Sequence, residues 1–297
     1  MGTFVSVDLD DIDCYHQVHG LPAPARRGLA LEVWLPRFLE VFEAAETRAT
    51  FFVIGKDLEA DLQGEGVGAQ VLRDALENKH ELANHSYEHA YDMVDWDAAK
   101  IAEDIARCDS LLRSLGAKVS GFRAPGYTHN RKMLMQVAAM GYRYDSSRLP
   151  SPTYYLAKRG VMAAMKLKGQ TSASYKGGAS SFRGETMPHY MSELGLWEVP
   201  MSVSRVGRFP LIGTFLLGGA PRGLGPMLFT EALRRRDLIL ELHAFDLADA
   251  QADGIDPAVV AKHRELQVPL DKRMMALKAL LEARGGGQSI AGGLTRA

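Results

Sequence analysis

LEVWLPRFLEVFEAAETRATFFVIG, Leu31 to Gly55, decides how the rest of the chain is read. In LEVWLPRFLEVFEAA the apolar residues recur at helical spacing, and ATFFVIG that follows is a short, wholly apolar run. The first half predicts a helix with one buried face, and the second a strand buried on both faces. A helix feeding a buried strand is the repeating unit of a parallel sheet covered by helices.

The same rhythm extends in both directions. Strands are predicted at Thr3–Leu9, Thr50–Gly55, Glu81–Ser86, Val119–Ala124, Tyr142–Ser146, Trp197–Val203 and Leu238–Phe245, with Gly287–Ala291 as a weak eighth. Helices are predicted at Leu29–Ala45, Gly66–Lys79, Trp96–Leu115, Asn130–Met140, Gly223–Arg235 and Pro257–Arg284. The expected fold is therefore α/β, with one domain spanning residues 1–297. The region from about 150 to 225 breaks the rhythm. It carries YYLAKRGVMAAMKLKG, a Gly/Ser-rich stretch and FPLIGTFLLGG, and reads as a long insertion on the sheet.

Composition excludes more than it assigns. Apolar residues are 46% and charged residues 24% of the chain, and the net charge is −1. No global basic character points to nucleic acid. Cys14 and Cys108 make no disulfide framework. MGTFVSVDL reads as a first strand and not as a signal peptide, so a reducing cytoplasm is the expected location.

Chemistry concentrates at the predicted strand ends, where α/β sheets place their sites. The first strand ends in Asp8, Asp10, Asp11 and Asp13. Asp8 and Asp10, two apart, share a face, and carboxylates so close call for a cation. The bland alternative is a polar loop with helix-capping aspartates. NHSYEH places His85 and His89 four apart after a strand, the spacing of two imidazoles on one side of a helical turn. Two His and one carboxylate leave room for water and substrate, as catalytic metal sites do. GFRAPGY brings Arg123, a fixed cation able to hold an Asp ionised. YDSS ends a strand with Asp145. In LILELHAFDL, strand parity puts Glu241 and His243 on one face.

VDLD, ATFFVIG, NHSYEH, RAPGY, YDSS and ELH, in this order, resemble the polysaccharide deacetylase family, carbohydrate esterase family 4, from Val5 to about His243. The resemblance implies a distorted (β/α) barrel of seven or eight units. It implies Asp8 as catalytic base, Asp10, His85 and His89 as metal ligands, and Arg123 as the tether of Asp8. It implies His243 as general acid, with Asp145 holding its imidazole, and the backbone N–H of Tyr127 or a neighbour as an oxyanion donor. The expected cofactor is one divalent transition metal, Zn²⁺ first, with Mn²⁺, Co²⁺ or Ni²⁺ as substitutes.

Two departures stand out. The family's first motif has adjacent aspartates followed by glycine, whereas this chain has Asp8-Leu9-Asp10-Asp11. Asp8 and Asp10 align with a D-x-D branch similar to the lipid-linked formamido-arabinose deformylases. The register with Asp10 as base and Asp11 as ligand stays open, and Asp11 is otherwise left to capping or substrate contact. The last motif has Glu241 where an apolar residue packs the acyl methyl, so a smaller acyl group such as formyl is also expected, with Glu241 and Tyr127 as substrate contacts.

The expected activity is metal-dependent removal of an N-acyl group from an amino sugar or glycoconjugate, lipid-linked ones included. A linear-amide hydrolase and a non-catalytic carbohydrate-binding protein are the alternatives. A D-x-D glycosyltransferase would not need NHSYEH, RAPGY and the late His together. The basic and apolar segments of the insertion are read either as a patch resting on the inner membrane face or as a cover of the barrel or homodimer interface.

Overall fold

The computed structural model describes residues 2–64, 66–156 and 184–294. Eight strands form one sheet: β1 (Gly2–Asp8), β2 (Thr50–Val53), β3 (Glu81–Asn84), β4 (Gly121–Phe122), β5 (Tyr144–Asp145), β6 (His189–Met191), β7 (Leu196–Glu198) and β8 (Asp237–His243). Their order is β6-β7-β5-β4-β3-β2-β1-β8. All neighbours are parallel except β6 and β7, an antiparallel edge pair. The sheet curls until the segment after β7 meets β8. Met201 N–H still donates to Arg148, on the β5 side, and Ser202 N–H donates to Ile239 O of β8 at 3.0 Å. Ile239 N–H returns a bond to Ser202 Oγ at 2.9 Å. Closure rests on these bonds and not on a full ladder, which is the distortion in the expected distorted barrel.

Period-2 alternation sorts the strand residues. Val5 and Val7, Phe51 and Val53, Leu82, and Leu238 and Leu240 face the covering helices, including α2 (Leu35–Ala44), α4 (Gly68–Glu77) and α5 (Ala98–Ser114). Phe52, Ala83, Tyr144 and Ile239 fill the barrel's interior with Ile290 and Leu294. The upper interior is polar: Ser6 and Asp8 on β1, Glu241 and His243 on β8, and Arg123 after β4. That contrast between a greasy floor and a charged mouth positions the site.

Several expectations need correction. Gly287–Ala291 is not a strand: Gln288 makes a single bridge to Phe4, and Ile290–Leu294 is a short helix under the barrel floor. The predicted helix Leu29–Ala45 begins as a π turn, Ala30–Trp34, before α2; Pro36 has no N–H for a regular first turn. The predicted helix Pro257–Arg284 is broken into Pro257–Val260, a turn at Arg264–Gln267, and Leu270–Ala283 with Pro269 at its N-cap. The helices that were not predicted include α1 (Ile12–Val18), inside the aspartate cluster, and α3 (Gly55–Gln63).

Of the insertion, the basic segment lies largely outside the described residues. FPLIGTFLLGG is described, and Leu211, Leu216 and Leu217 are buried in the main core, so this segment covers the barrel. No helix among the described residues is long and apolar enough to cross a membrane.

Candidate active site

One wall of the site is made at the ends of β1 and β3. Asp10 leaves β1 two residues past Asp8, and its Oδ1 lies 3.4 Å from His85 Nε2 and 3.3 Å from His89 Nε2. Asp10 is nearly buried, and both imidazoles are fully so. Burial acts to raise the Asp10 carboxyl, but His89 and His85 more than offset it and hold it well below the usual range. For His85 burial acts to lower the pKa, and Asp8 and Asp10 override it.

The two histidines are not on a helical turn as expected. Residues 85–89 form a loop in which Ser86 (φ 65°) and His89 (φ 51°) are left-handed. The loop is held by side chains that the sequence reading missed. Asp104 of α5 accepts from the N–H groups of Tyr87 (2.8 Å) and Glu88 (2.9 Å). Asn84 accepts from Ser86 N–H, and Ser86 Oγ from His89 N–H, both at 2.8 Å. These bonds hold left-handed backbone that a non-glycine residue otherwise resists. The far ring nitrogens are also fixed: His85 Nδ1 lies 2.8 Å from Arg123 O, and His89 Nδ1 lies 3.6 Å from the buried Cys14 Sγ. An N–H there leaves each Nε2 free to ligate.

Asp8 is gripped from below. Arg123, wholly buried, donates from Nη1 to Asp8 Oδ1 at 2.5 Å. Its Nε donates to Ser146 O, and its Nη2 to Ser6 Oγ and Ser146 Oγ. Its guanidinium lies 4.1 Å from the centre of the Phe52 ring. The tether expected from the sequence is therefore in place, with two serines fixing it.

The opposite wall comes from β8. Parallel register sets His243 beside Asp8 and Glu241 beside Ser6. Glu241 is fully buried; its Oε1 lies 3.0 Å from His243 Nδ1 and accepts from the Tyr127 hydroxyl at 3.1 Å. That hydroxyl is also 3.2 Å from His243 Nε2. Burial, with Asp8 nearby, pushes Glu241 up to about 7 against the opposing pull of His243. Burial acts to lower His243, but Glu241, Asp10, Asp8 and Asp246 outweigh it and push it up to about 9.

Three expected roles are not supported by this geometry. Asp145 does not meet His243. Tyr144 takes the interior position on β5, so Asp145 points to the other face, where it accepts from Ser147 N–H (3.0 Å) and Ser147 Oγ (2.7 Å). Glu241 stands where Asp145 was expected. The Tyr127 N–H is bonded to Ala124 O in a tight turn, with Gly126 (φ 58°) and Tyr127 (φ 60°) both left-handed; its hydroxyl, not its amide, faces the site. Asp11 turns away: its two oxygens accept from Gly28 N–H (2.6 Å) and Ala30 N–H (2.9 Å), capping the next helix. It does not line the cavity that Asp8 and Asp10 face, and the register with Asp11 as ligand finds no support.

Both walls face one cavity of about 230 Å³. Tyr15 stacked on Phe245 (3.9 Å between rings), His19, Phe215 and His263 close its outer side. His263 and Glu265 reach it from the broken stretch between the helices Pro257–Val260 and Leu270–Ala283.

The donor set fits a transition metal. Asp10, His85 and His89 each offer an atom within 4.8 Å of the others. Asp10 Oδ1 and His89 Nε2 are buried without a hydrogen-bond partner among the described residues, which is costly unless something binds there.

Residues 27–144 match the polysaccharide deacetylase family model. The polysaccharide deacetylase resemblance read from the motifs is thereby borne out. The matched span holds His85, His89 and Arg123; Asp8, Asp10, Glu241 and His243 lie outside it and join the site through the fold. A Mycobacterium smegmatis protein assigned as a polysaccharide deacetylase shares the fold, with TM-score 0.61 and 17% identity over 99% of this chain and 88% of that one. A 4-alpha-glucanotransferase from Thermococcus litoralis also gives TM-score 0.61, at 9% identity over 100% of this chain and 40% of that one. The family 4 carbohydrate esterase of Streptomyces lividans, in complex with acetate, gives 0.48 at 13% identity, over 97% and 91%. No curated protein matches the sequence. At these identities the structural likeness shows the fold alone, and one fold can carry different chemistries.

Proposed function

We propose that the protein is a metal-dependent hydrolase that removes an N-acyl group, acetyl or formyl, from an amino sugar or glycoconjugate. The observation that carries the reading is the meeting of three groups on one cavity: the Asp10–His85–His89 donors, the Arg123-held Asp8, and the Glu241–His243 pair. Amide hydrolysis needs an electrophile, a base and an acid at the leaving nitrogen.

Asp10, His85 and His89 would hold Zn²⁺ or a similar dication, which supplies Lewis acidity to the amide carbonyl and acidifies water. Arg123 holds Asp8 in place and aims it, so Asp8 takes the proton of the attacking water. Glu241 favours the imidazolium of His243, which gives its proton to the departing amine nitrogen. The Tyr127 hydroxyl orients Glu241. The aromatic wall excludes bulk water and strengthens these charges.

The cavity, about 230 Å³, lies below the usual ~300–1,000 Å³ of ligand pockets. That favours a single N-acyl sugar unit, or the headgroup of a lipid-linked one, over a polymer chain threaded through the site. It also keeps the linear-amide reading in view. Membrane contact, a homodimer and a cytoplasmic location remain parts of the proposal that rest on the sequence.

The test is amine release from N-acetylglucosamine, N-formylglucosamine and a short linear formamide, using Zn²⁺-loaded protein and Asp8→Asn of equal metal content. The expected result is turnover of an amino-sugar amide that falls by roughly 10²–10⁴ in Asp8→Asn. Cleavage of the linear amide alone would move the substrate to the second reading. Equal rates in the two proteins would remove Asp8 as base.

A further inference from the structure

A second set of donors stands at the edge of the cavity: Asp8 and His243 line it, and the buried Glu241 is paired to His243. Asp8, Glu241 and His243 each offer one ligand atom within 4.8 Å of the others. The register of β1 and β8 builds the set: His243 lies beside Asp8, and Glu241 is two residues back on the same face. Glu241 is wholly buried, and its Oε2 has no hydrogen-bond partner among the described residues. Asp8 spends Oδ1 on Arg123, while its Oδ2, 3.8 Å from His85 Nε2, faces the site. Two carboxylates and one imidazole, one carboxylate oxygen being buried and unpaired, form a donor set suited to a borderline dication.

We propose that Asp8, Glu241 and His243 form a second, weaker transition-metal site, and that its occupation silences the enzyme. It is weaker because Arg123 remains bonded to Asp8 and repels a cation. The silencing rests on the function proposed above; the site does not. A metallated imidazole gives up its remaining N–H far less readily than an imidazolium, so His243 ceases to act as an acid. A cation on Asp8 Oδ2 likewise takes the lone pair that would accept the proton of water. Excess metal is thus an inhibitor acting through the residues that complete the reaction.

The test is calorimetric titration of Zn²⁺ into metal-free protein, counting sites in the wild type, Glu241→Gln, His243→Asn and His89→Ala. The expected result is two sites in the wild type, differing at least tenfold in affinity. Glu241→Gln and His243→Asn should keep only the tight site, and His89→Ala only the weak one. His243 is partly exposed, so His243→Asn decides the matter if the buried Glu241→Gln fails to fold. One wild-type site that survives both β8 substitutions would overturn the second site and leave the hydrolase reading standing. Two sites that both survive them would place the weak site elsewhere and overturn it equally. No binding in the wild type would overturn both.

Discussion

The two walls of the cavity are built by different means. The His85–His89 wall is a loop of a few residues whose shape is set by bonds from Asn84, Ser86 and Asp104. The Glu241–His243 wall is a straight strand end, and its meaning comes from what lies across from it: Asp8 in register, Arg123 below and Tyr127 opposite. The first wall is a local motif with a distinctive spacing. The second is a meeting of residues more than a hundred positions apart, and nothing in either stretch names its partner.

The largest expected effect lies where the walls join. Arg123→Leu strands the Asp8 carboxylate in a buried site, and breaking such a pair costs about 3–5 kcal/mol. Chemical denaturation should show a loss of that size; an unchanged midpoint would mean that Asp8 is neutral or otherwise paired.

Next comes the loop wall. Asp104→Ala removes the acceptor for two backbone N–H groups without touching the cavity. The expected outcome is metal affinity lower by roughly 10–100-fold, partly restored by Asp104→Asn, as read by competition with a chelating dye. Unchanged affinity would show that the loop holds its shape unaided.

The strand wall predicts a pH effect of opposite origin. In the proposed reaction His243 acts in its protonated form, and its raised pKa, about 9, predicts that activity is lost as pH rises through that value. Glu241→Gln removes the largest influence raising it, so the alkaline limb of kcat should move to lower pH. Asp145→Asn should leave the limb where it is. A limb that moved with Asp145 and not with Glu241 would restore the pairing expected from sequence.

The smallest effect lies outside both walls. His80 is buried beside Phe42 and Phe51, accepts from Ala49 N–H, and is lowered by its burial to about 4. The unfolded chain protonates it near 6.5, so stability present above that pH is lost as pH falls from about 6.5 to about 4. The scale is about 2–3 kcal/mol. His80→Gln should flatten the fall in melting temperature between pH 7 and pH 5; parallel curves would contradict this.

Much of the fold was legible because alternation of buried strands and amphipathic helices is written in local periodicity. β2 and α2 follow directly from Leu31–Gly55. Edges were less legible: β4 is two residues long within a predicted Val119–Ala124, because regular pairing ends where RAPGY turns. α1 was hidden by aspartates that look like loop, yet Asp11 caps the π turn at Ala30 and Cys14 backs His89. Asp145 was misplaced for a plain reason. Which face of β5 points inward depends on Tyr144 filling the floor, and a two-residue strand carries no alternation from which to read that.

The central claim is that Asp10, His85 and His89 form the tight metal site. The most direct test is elemental analysis of wild type, Asp10→Ala and Asp8→Asn, each loaded with Zn²⁺ and dialysed to remove weakly held ions. The account predicts about one equivalent retained in wild type and in Asp8→Asn, and none in Asp10→Ala. Retention in Asp10→Ala, or loss in Asp8→Asn, would contradict the division of the two aspartates into ligand and base.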